Sequence, residues 1–177
     1  DLSRFKDIIQ IDGSIGYLAG LNSSGNVLLY DGEENKTLEI DNEDWHDITD
    51  MTFSNDLLTA LRSDGSLLFC YLPFGEGWQG KRFGIWNGDY GKDIIKVSSA
   101  GYNNYLLILF SDGSVDAMYP RFECPELQID EDTFCININE SDRQILHNMY
   151  DVKDLFADDG NCCFVYDDGS VSEMSFF

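Results

Sequence analysis

Positive charge is what this sequence has least of. Only 11 of its 177 residues are Lys or Arg against 33 Asp or Glu, which leaves a formal net charge of −22 and a pI near 4.1. Neutralising a phosphate backbone takes clustered basic side chains, so direct binding to DNA or RNA is excluded. An anionic membrane surface is disfavoured on the same ground. A protein partner with a basic surface is instead drawn in, fastest at low salt. The five cysteines, Cys70, Cys124, Cys135, Cys162 and Cys163, include no C-x-x-C pair and are odd in number. That spacing argues against both a disulfide framework and a structural zinc site, and it fits reduced thiols in a cytoplasmic protein. No apolar run reaches the length of a membrane span, and no basic-then-apolar segment opens the chain. The two histidines, His46 and His147, stand in no recognisable nucleophile constellation. No Gly-rich stretch follows a strand and opens a helix, so no nucleotide cofactor is expected. The acidic clusters Asp41-Asn42-Glu43-Asp44 and Asp130-Glu131-Asp132 lack the spacing of a calcium loop and read as solvated charge, so no metal is expected.

Apolar content is ample: 43% of the residues are hydrophobic and 14% aromatic. A disordered acidic tail lacks such surface to bury, so the chain folds, and its length suits one domain over 1–177. Four segments repeat a pattern. Phe5-Lys6-Asp7-Ile8 leads to Ser24-Gly25-Asn26-Val27, and Trp45-His46-Asp47-Ile48 leads to Asp64-Gly65-Ser66-Leu67. Gly91-Lys92-Asp93-Ile94 leads to Asp112-Gly113-Ser114-Val115, and Val152-Lys153-Asp154-Leu155 leads to Asp168-Gly169-Ser170-Val171. From the Asp of each start to the turn Gly the offsets are 18 (7 to 25), 18 (47 to 65), 20 (93 to 113) and 15 (154 to 169).

Each unit opens on a short apolar stretch such as Ile94-Ile95-Lys96-Val97, continues in a second such as Leu57-Leu58-Thr59-Ala60-Leu61, and turns at Asp-Gly into a third. Apolar runs flanking Asp-Gly predict a hairpin, because Gly supplies the positive φ of a tight turn and Asp tolerates it. One short helix is expected between Ser141 and Tyr150, from Ile145, Leu146 and Met149. A lone unit cannot bury both faces of its sheet, so copies must pack side by side as blades. The approximate units are 5–44, 45–90, 91–151 and 152–177, with departures expected in the insert at 119–151.

The units resemble the RCC1 repeat, the blade of a seven-bladed β-propeller. Val97-Ser98-Ser99-Ala100-Gly101 through Leu106-Leu107-Ile108-Leu109-Phe110-Ser111-Asp112-Gly113-Ser114-Val115 is similar to the family's val-ala-ala-gly-x-x-his-x-leu-x-leu-x-x-asp-gly-x-val signature. The trp-gly-x-asn and gly-gln-leu-gly segments of the family are reduced to Tyr30-Asp31-Gly32 and Gly77-Trp78-Gln79-Gly80. The resemblance implies an all-β, RCC1-like propeller of about four degenerate blades, which is a shortened propeller, a half that dimerises, or a fragment. Members include bacterial propeller-type β-lactamase inhibitory proteins, which work by docking on an enzyme. No residue carries over the exchange-factor role of the eukaryotic members.

Function therefore reads as non-catalytic: an acidic protein-binding module or inhibitor that docks inter-blade loops on a protein partner. The alternatives are a nucleic-acid mimic, such as a phage-type anti-defence inhibitor that blocks the basic channel of a nucleic-acid-binding protein, and a carboxylate-dependent hydrolase. Interfaces favour aromatic anchors in a charged rim. The candidates are Trp45, Phe74, Trp78, Phe83, Trp86 and Tyr90 as anchors, with Glu33, Glu34, Asp41, Glu43, Asp44, Glu76 and Asp89 as the anionic rim.

Overall fold

The computed structural model describes residues 2–40, 42–72, 82–87, 90–100, 105–118, 140–158 and 160–175. They form two compact units, Asp1–Trp86 and Asn87–Phe177. The architecture is all-β, with four antiparallel sheets that match propeller blades.

The first unit holds two four-stranded blades. In blade 1 the strands β1 (Ile8–Ser14), β2 (Tyr17–Asn22), β3 (Val27–Asp31) and β4 (Lys36–Glu39) lie in sequence order, and blade 2 repeats this with β5 (Ile48–Ser54), β6 (Leu57–Arg62), β7 (Leu67–Tyr71) and β8 (Arg82–Trp86). The second unit holds two three-stranded blades. Blade 3 comprises β9 (Ile94–Ala100), β10 (Tyr105–Phe110) and β11 (Val115–Met118); blade 4 comprises β12 (Val152–Asp158), β13 (Asn161–Tyr166) and β14 (Val171–Ser175). The helix expected from 141 to 150 is present as α1 (Glu140–His147), and its Leu146 enters the core of this unit while Ile145 stays exposed.

All four predicted turn glycines sit at hairpin corners with positive φ: Gly25 (76°), Gly65 (88°), Gly113 (77°) and Gly169 (82°). The residue before each holds the corner differently from a simple propensity effect. Asp64, Asp112 and Asp168 each accept, on Oδ1, the backbone N–H two residues on, at 2.8–3.0 Å. In blade 1, Asn22 Oδ1 closes the corner instead, accepting from Ser24 and Asn26 at 3.0 Å. These are Asx turns, in which a short polar side chain supplies the acceptor that the backbone lacks.

The register shows one correction to the repeat alignment. The start of every first strand is bulged one residue in, after Ile8, Ile48, Ile94 and Val152, and the residue ahead of it receives the N–H of the hairpin turn. That residue is Asp7 (from Ser23), Asp47 (from Ser63), Asp93 (from Ser111) and, in blade 4, Asp151 (from Asp167), each at 2.9 Å. The fourth unit therefore starts at Asp151-Val152, three residues before the Asp154-Leu155 pair, and its offset to Gly169 becomes 18 (151 to 169). Lys153-Asp154-Leu155 imitates the motif within the strand, downstream of the bulge. Asp7, Asp47 and Asp151 all take positive φ (54°, 55° and 60°), a conformation that Asp tolerates better than most residues.

Neighbouring blades are joined by a recurring device. In the first unit, Gln10, Asp12 and Ser14, alternate residues of β1, reach across to the backbone of β5 and of Asn55 just after it. Gln10 brackets Met51 by donating to its carbonyl at 2.7 Å and accepting from its N–H at 3.2 Å; Asp12 accepts from Phe53 N–H at 2.8 Å, and Ser14 donates to the Asn55 carbonyl. In the second unit, Ser98 accepts from Ala157 N–H at 2.9 Å and Lys96 pairs with Asp154. Behind each row lies a core: Ala19, Leu21, Val27 and Leu29 against Met51, Phe53, Leu58 and Leu68 in one, and Leu107, Leu109 and Val115 against Leu155, Cys162 and Phe164 in the other. Burial of such aliphatic side chains stabilises the fold by roughly 1.5–3 kcal/mol each.

Candidate functional site

Strand direction divides the predicted site residues of the first unit between opposite ends of its sheets. Glu33 and Glu34 ride the β3–β4 turn, where the backbone N–H groups of both donate to Oδ1 of buried Asp31 at 2.9 and 3.0 Å. Glu43 and Asp44 lie at the other end, in the connection from blade 1 to blade 2, beside Asp47 and the Asp64 corner. Asn42 Oδ1 fixes this connection by accepting from Asp44 N–H at 2.9 Å.

This second end gathers several carboxylates around Arg62 and Arg4. Asp44, Asp47 and Asp64 each leave half or more of the side chain exposed, and Glu39 joins them in contact with Arg4. Arg62 lies among them, 2.7 Å from Asp64 and 3.8 Å from Asp44. The hydrogen bond from Arg62, with that from Ser66, holds the Asp64 carboxyl well below the ordinary carboxylate range. In the second unit, the Ser114 and Lys92 hydrogen bonds hold Asp112 down at about 2, and Ser170 lowers Asp168. Each displaced carboxylate is thus held ionised by its own corner. A general acid needs displacement in the opposite direction, toward protonation near neutral pH.

The aromatic candidates separate from the acidic ones. Trp45 is buried, 7% exposed, and its ring meets Phe83 edge-on at 6.2 Å. It belongs to the core between blades 1 and 2 and is unavailable as a surface anchor, because a large ring at the blade junction fills space that no smaller neighbour does. Phe83 is half-buried against it and Trp86 half-buried on β8. Tyr90 is half-buried in the second unit, with its ring 5.0 Å from Phe110. Phe74, Glu76, Trp78, Asp89 and Asp41 lie outside the described residues, as do Cys124, Cys135 and the 130–132 cluster. Among the described residues no group of His, Cys, Asp and Glu is placed to hold a metal ion, and no helix is long and apolar enough to cross a membrane.

A concavity of about 480 Å³ in the second unit escaped the sequence reading. It is lined by Tyr150, Asp151, Tyr166, Asp167, Asp168 and Ser170, with three carboxylates, two phenol rings and no cation. Its residues come from the strand start and the hairpin corner of the same blade, 15 or more positions apart in sequence, which is why no local motif marks it.

No family model matches the chain, and no relative among curated proteins matches it. Solved structures do. Yeast RCC1 (Prp20), in its crystal structure bound to Kap60, superposes with a TM-score of 0.60 at 12% identity, over 95% of this chain and 43% of that one. Human WBSCR16 gives 0.60 at 12% identity, over 95% of this chain and 47% of that one. The β-propeller domain of Cps50 (Swd1) from Myceliophteria thermophila gives 0.55 at 8% identity, over 92% and 51%. The chain spans under half the length of the first two. The fold of this chain is therefore that of β-propeller blades, similar in structure to RCC1.

Proposed function

We propose that the protein is a non-catalytic, acidic protein-binding module that docks the Glu43–Asp47 connection and the Asp64 corner on the basic surface of a protein partner. The observation that carries this reading is the gathering of Glu43, Asp44, Asp47 and Asp64 at one end of the first unit, on backbone fixed by Asx bonds. Preorganised loops lose little entropy on docking, and opposite charge steers the encounter. The likeness to RCC1 supports a protein partner: the yeast protein is seen bound to Kap60, and Prp20p is described with its binding properties to Gsp1p and histones. Phosphate mimicry, including the anti-defence role, is less favoured, because Arg62 interrupts the row of anions between Asp44 and Asp64.

A fluorescent arginine-rich peptide serves as the probe. Glu43→Lys with Asp44→Lys should weaken its binding about tenfold at low salt, and Glu33→Lys with Glu34→Lys, which changes the net charge equally, should weaken it much less. Equal losses would mean that only diffuse charge attracts the peptide, and the assignment of this end would fail.

A further inference from the structure

The joint between blades has two halves, a glycine corner and a strand start, and among the described residues each unit joins them once. In the first unit the Gly25 carbonyl accepts the N–H of Ile48, the first residue of the next blade, at 3.0 Å; in the second the Gly113 carbonyl accepts from Val152 at 3.0 Å. A Cβ built on either glycine would meet Asp47 and Ile48, or Asp151 and Val152, at 3.0–3.3 Å. Around Gly169 the same position is open space. The concavity at Tyr150, Asp151, Tyr166, Asp167, Asp168 and Ser170 surrounds this corner. It occupies the place where Asp47-Ile48 sits on blade 1 and Asp151-Val152 on blade 3.

The face of blade 4 continues the same vacancy. By register, Val165 and Val171 correspond to Leu61 and Leu67 of blade 2 and to Leu21 and Val27 of blade 1. Those four are buried, whereas Val171 is 58% exposed; Phe156, on the same face, is 52% exposed, with Lys96 Nζ 4.1 Å from its ring centroid. Gly65 also has open space at its corner, but the burial of Leu61 and Leu67 leaves blade 2 no bare face beside it. The mating half lies on blade 1. Forty residues separate equivalent positions there (Ile8 to Ile48), so Ile11 corresponds to Met51; Met51 is 1% exposed and Ile11 60% exposed, with Ile9 at 66% beside it. Phe5 packs on Gly20 of this face and leaves both isoleucines bare.

We propose that the Gly169 concavity and the bare face of blade 4 are the seat for the Lys6-Asp7-Ile8 strand start and the Ile9/Ile11 face of a second copy of the chain. Charge selects this occupant. Lys6 is exposed and stands one residue before Asp7, so it reaches a concavity that offers Asp151, Asp167 and Asp168 and no cation of its own. A contact of this kind joins two different surfaces, one from each copy. It uses none of Glu43, Asp44, Asp47 and Asp64, so either reading can fail alone.

Sedimentation equilibrium of the purified chain, up to about 100 μM, tests it. The expected result is concentration-dependent association above the monomer mass of 20.1 kDa. Association should persist or strengthen at about 500 mM salt, since screening relieves repulsion between two anionic chains while the apolar contact remains. Ile11→Arg and Val171→Arg, both at exposed positions, should each weaken it about tenfold without changing the circular dichroism spectrum. Lys6→Glu and Asp167→Lys should each weaken it, and an equimolar mixture of these two variants should regain it. A chain that stays monomeric throughout, or that associates equally well in all four variants, would overturn the proposal.

Discussion

The N–H of Ile48 donates to the carbonyl of Gly25 at 3.0 Å, tying the corner of one blade to the first strand of the next. A side chain at Gly25 would face two obstacles, the positive φ and the backbone of Asp47 and Ile48 at 3.1 Å; at Gly169 it would face only the first. Gly25→Ala should therefore cost about 1–2 kcal/mol for the left-handed conformation plus about 1–3 kcal/mol for overpacking. Gly169→Ala should cost only the first amount. Urea midpoints of the two variants check this, and equal losses would count against the joint.

Trp45 is expected to act on stability and not on docking. Trp45→Ala should lower the unfolding free energy by about 3–5 kcal/mol, since the ring fills the junction of blades 1 and 2. Asp44→Ala, at a half-exposed site, should stay within about 0.5 kcal/mol. Thermal melts of both variants distinguish the roles.

Thr59 offers a gain. Its hydroxyl oxygen is buried without a hydrogen-bond partner among the described residues. A buried polar group left unmatched destabilises, so Thr59→Val should raise the unfolding free energy by about 1 kcal/mol. A loss of stability on this substitution would place an unseen partner at the hydroxyl.

Much of this fold is legible in the sequence, for reasons particular residues make plain. Asp-Gly flanked by apolar runs is a local signal, and Gly65, Gly113 and Gly169 sit where it places them. The fourth start was misplaced because Lys153-Asp154-Leu155 reproduces the motif beyond the bulge, and only the pairing of Asp167 with Asp151 reveals the shift. Trp45 reads as an anchor by type, yet contact with Phe83, 38 residues on (45 to 83), decides its burial. The outer strands Lys36–Glu39 and Arg82–Trp86 fall outside the repeated strand-turn-strand pattern and are held by pairing with β3 and β7. The Gly169 concavity depends on corners brought together by register, which composition does not encode.

Acid should loosen the corners. Asp112 is held at about 2, below its ordinary 3.8, by Ser114 and Lys92, and Asp64 and Asp168 are lowered likewise. A carboxyl whose folded value lies below its unfolded value contributes stability that is complete above pH about 4 and lost as pH falls toward 2. Urea midpoints should therefore decline between pH 4 and pH 2, and Asp112→Asn should make that decline shallower. An unchanged slope would show that the corner hydrogen bonds do not favour the ionised form.

The most direct test of the docking end is amide hydrogen exchange with and without the arginine-rich peptide at low salt. Slower exchange is predicted at Asp44–Asp47 and Asp64–Ser66, with the Glu33–Glu34 turn unaffected. Protection centred on Glu33 and Glu34, or spread evenly over every acidic loop, would contradict it.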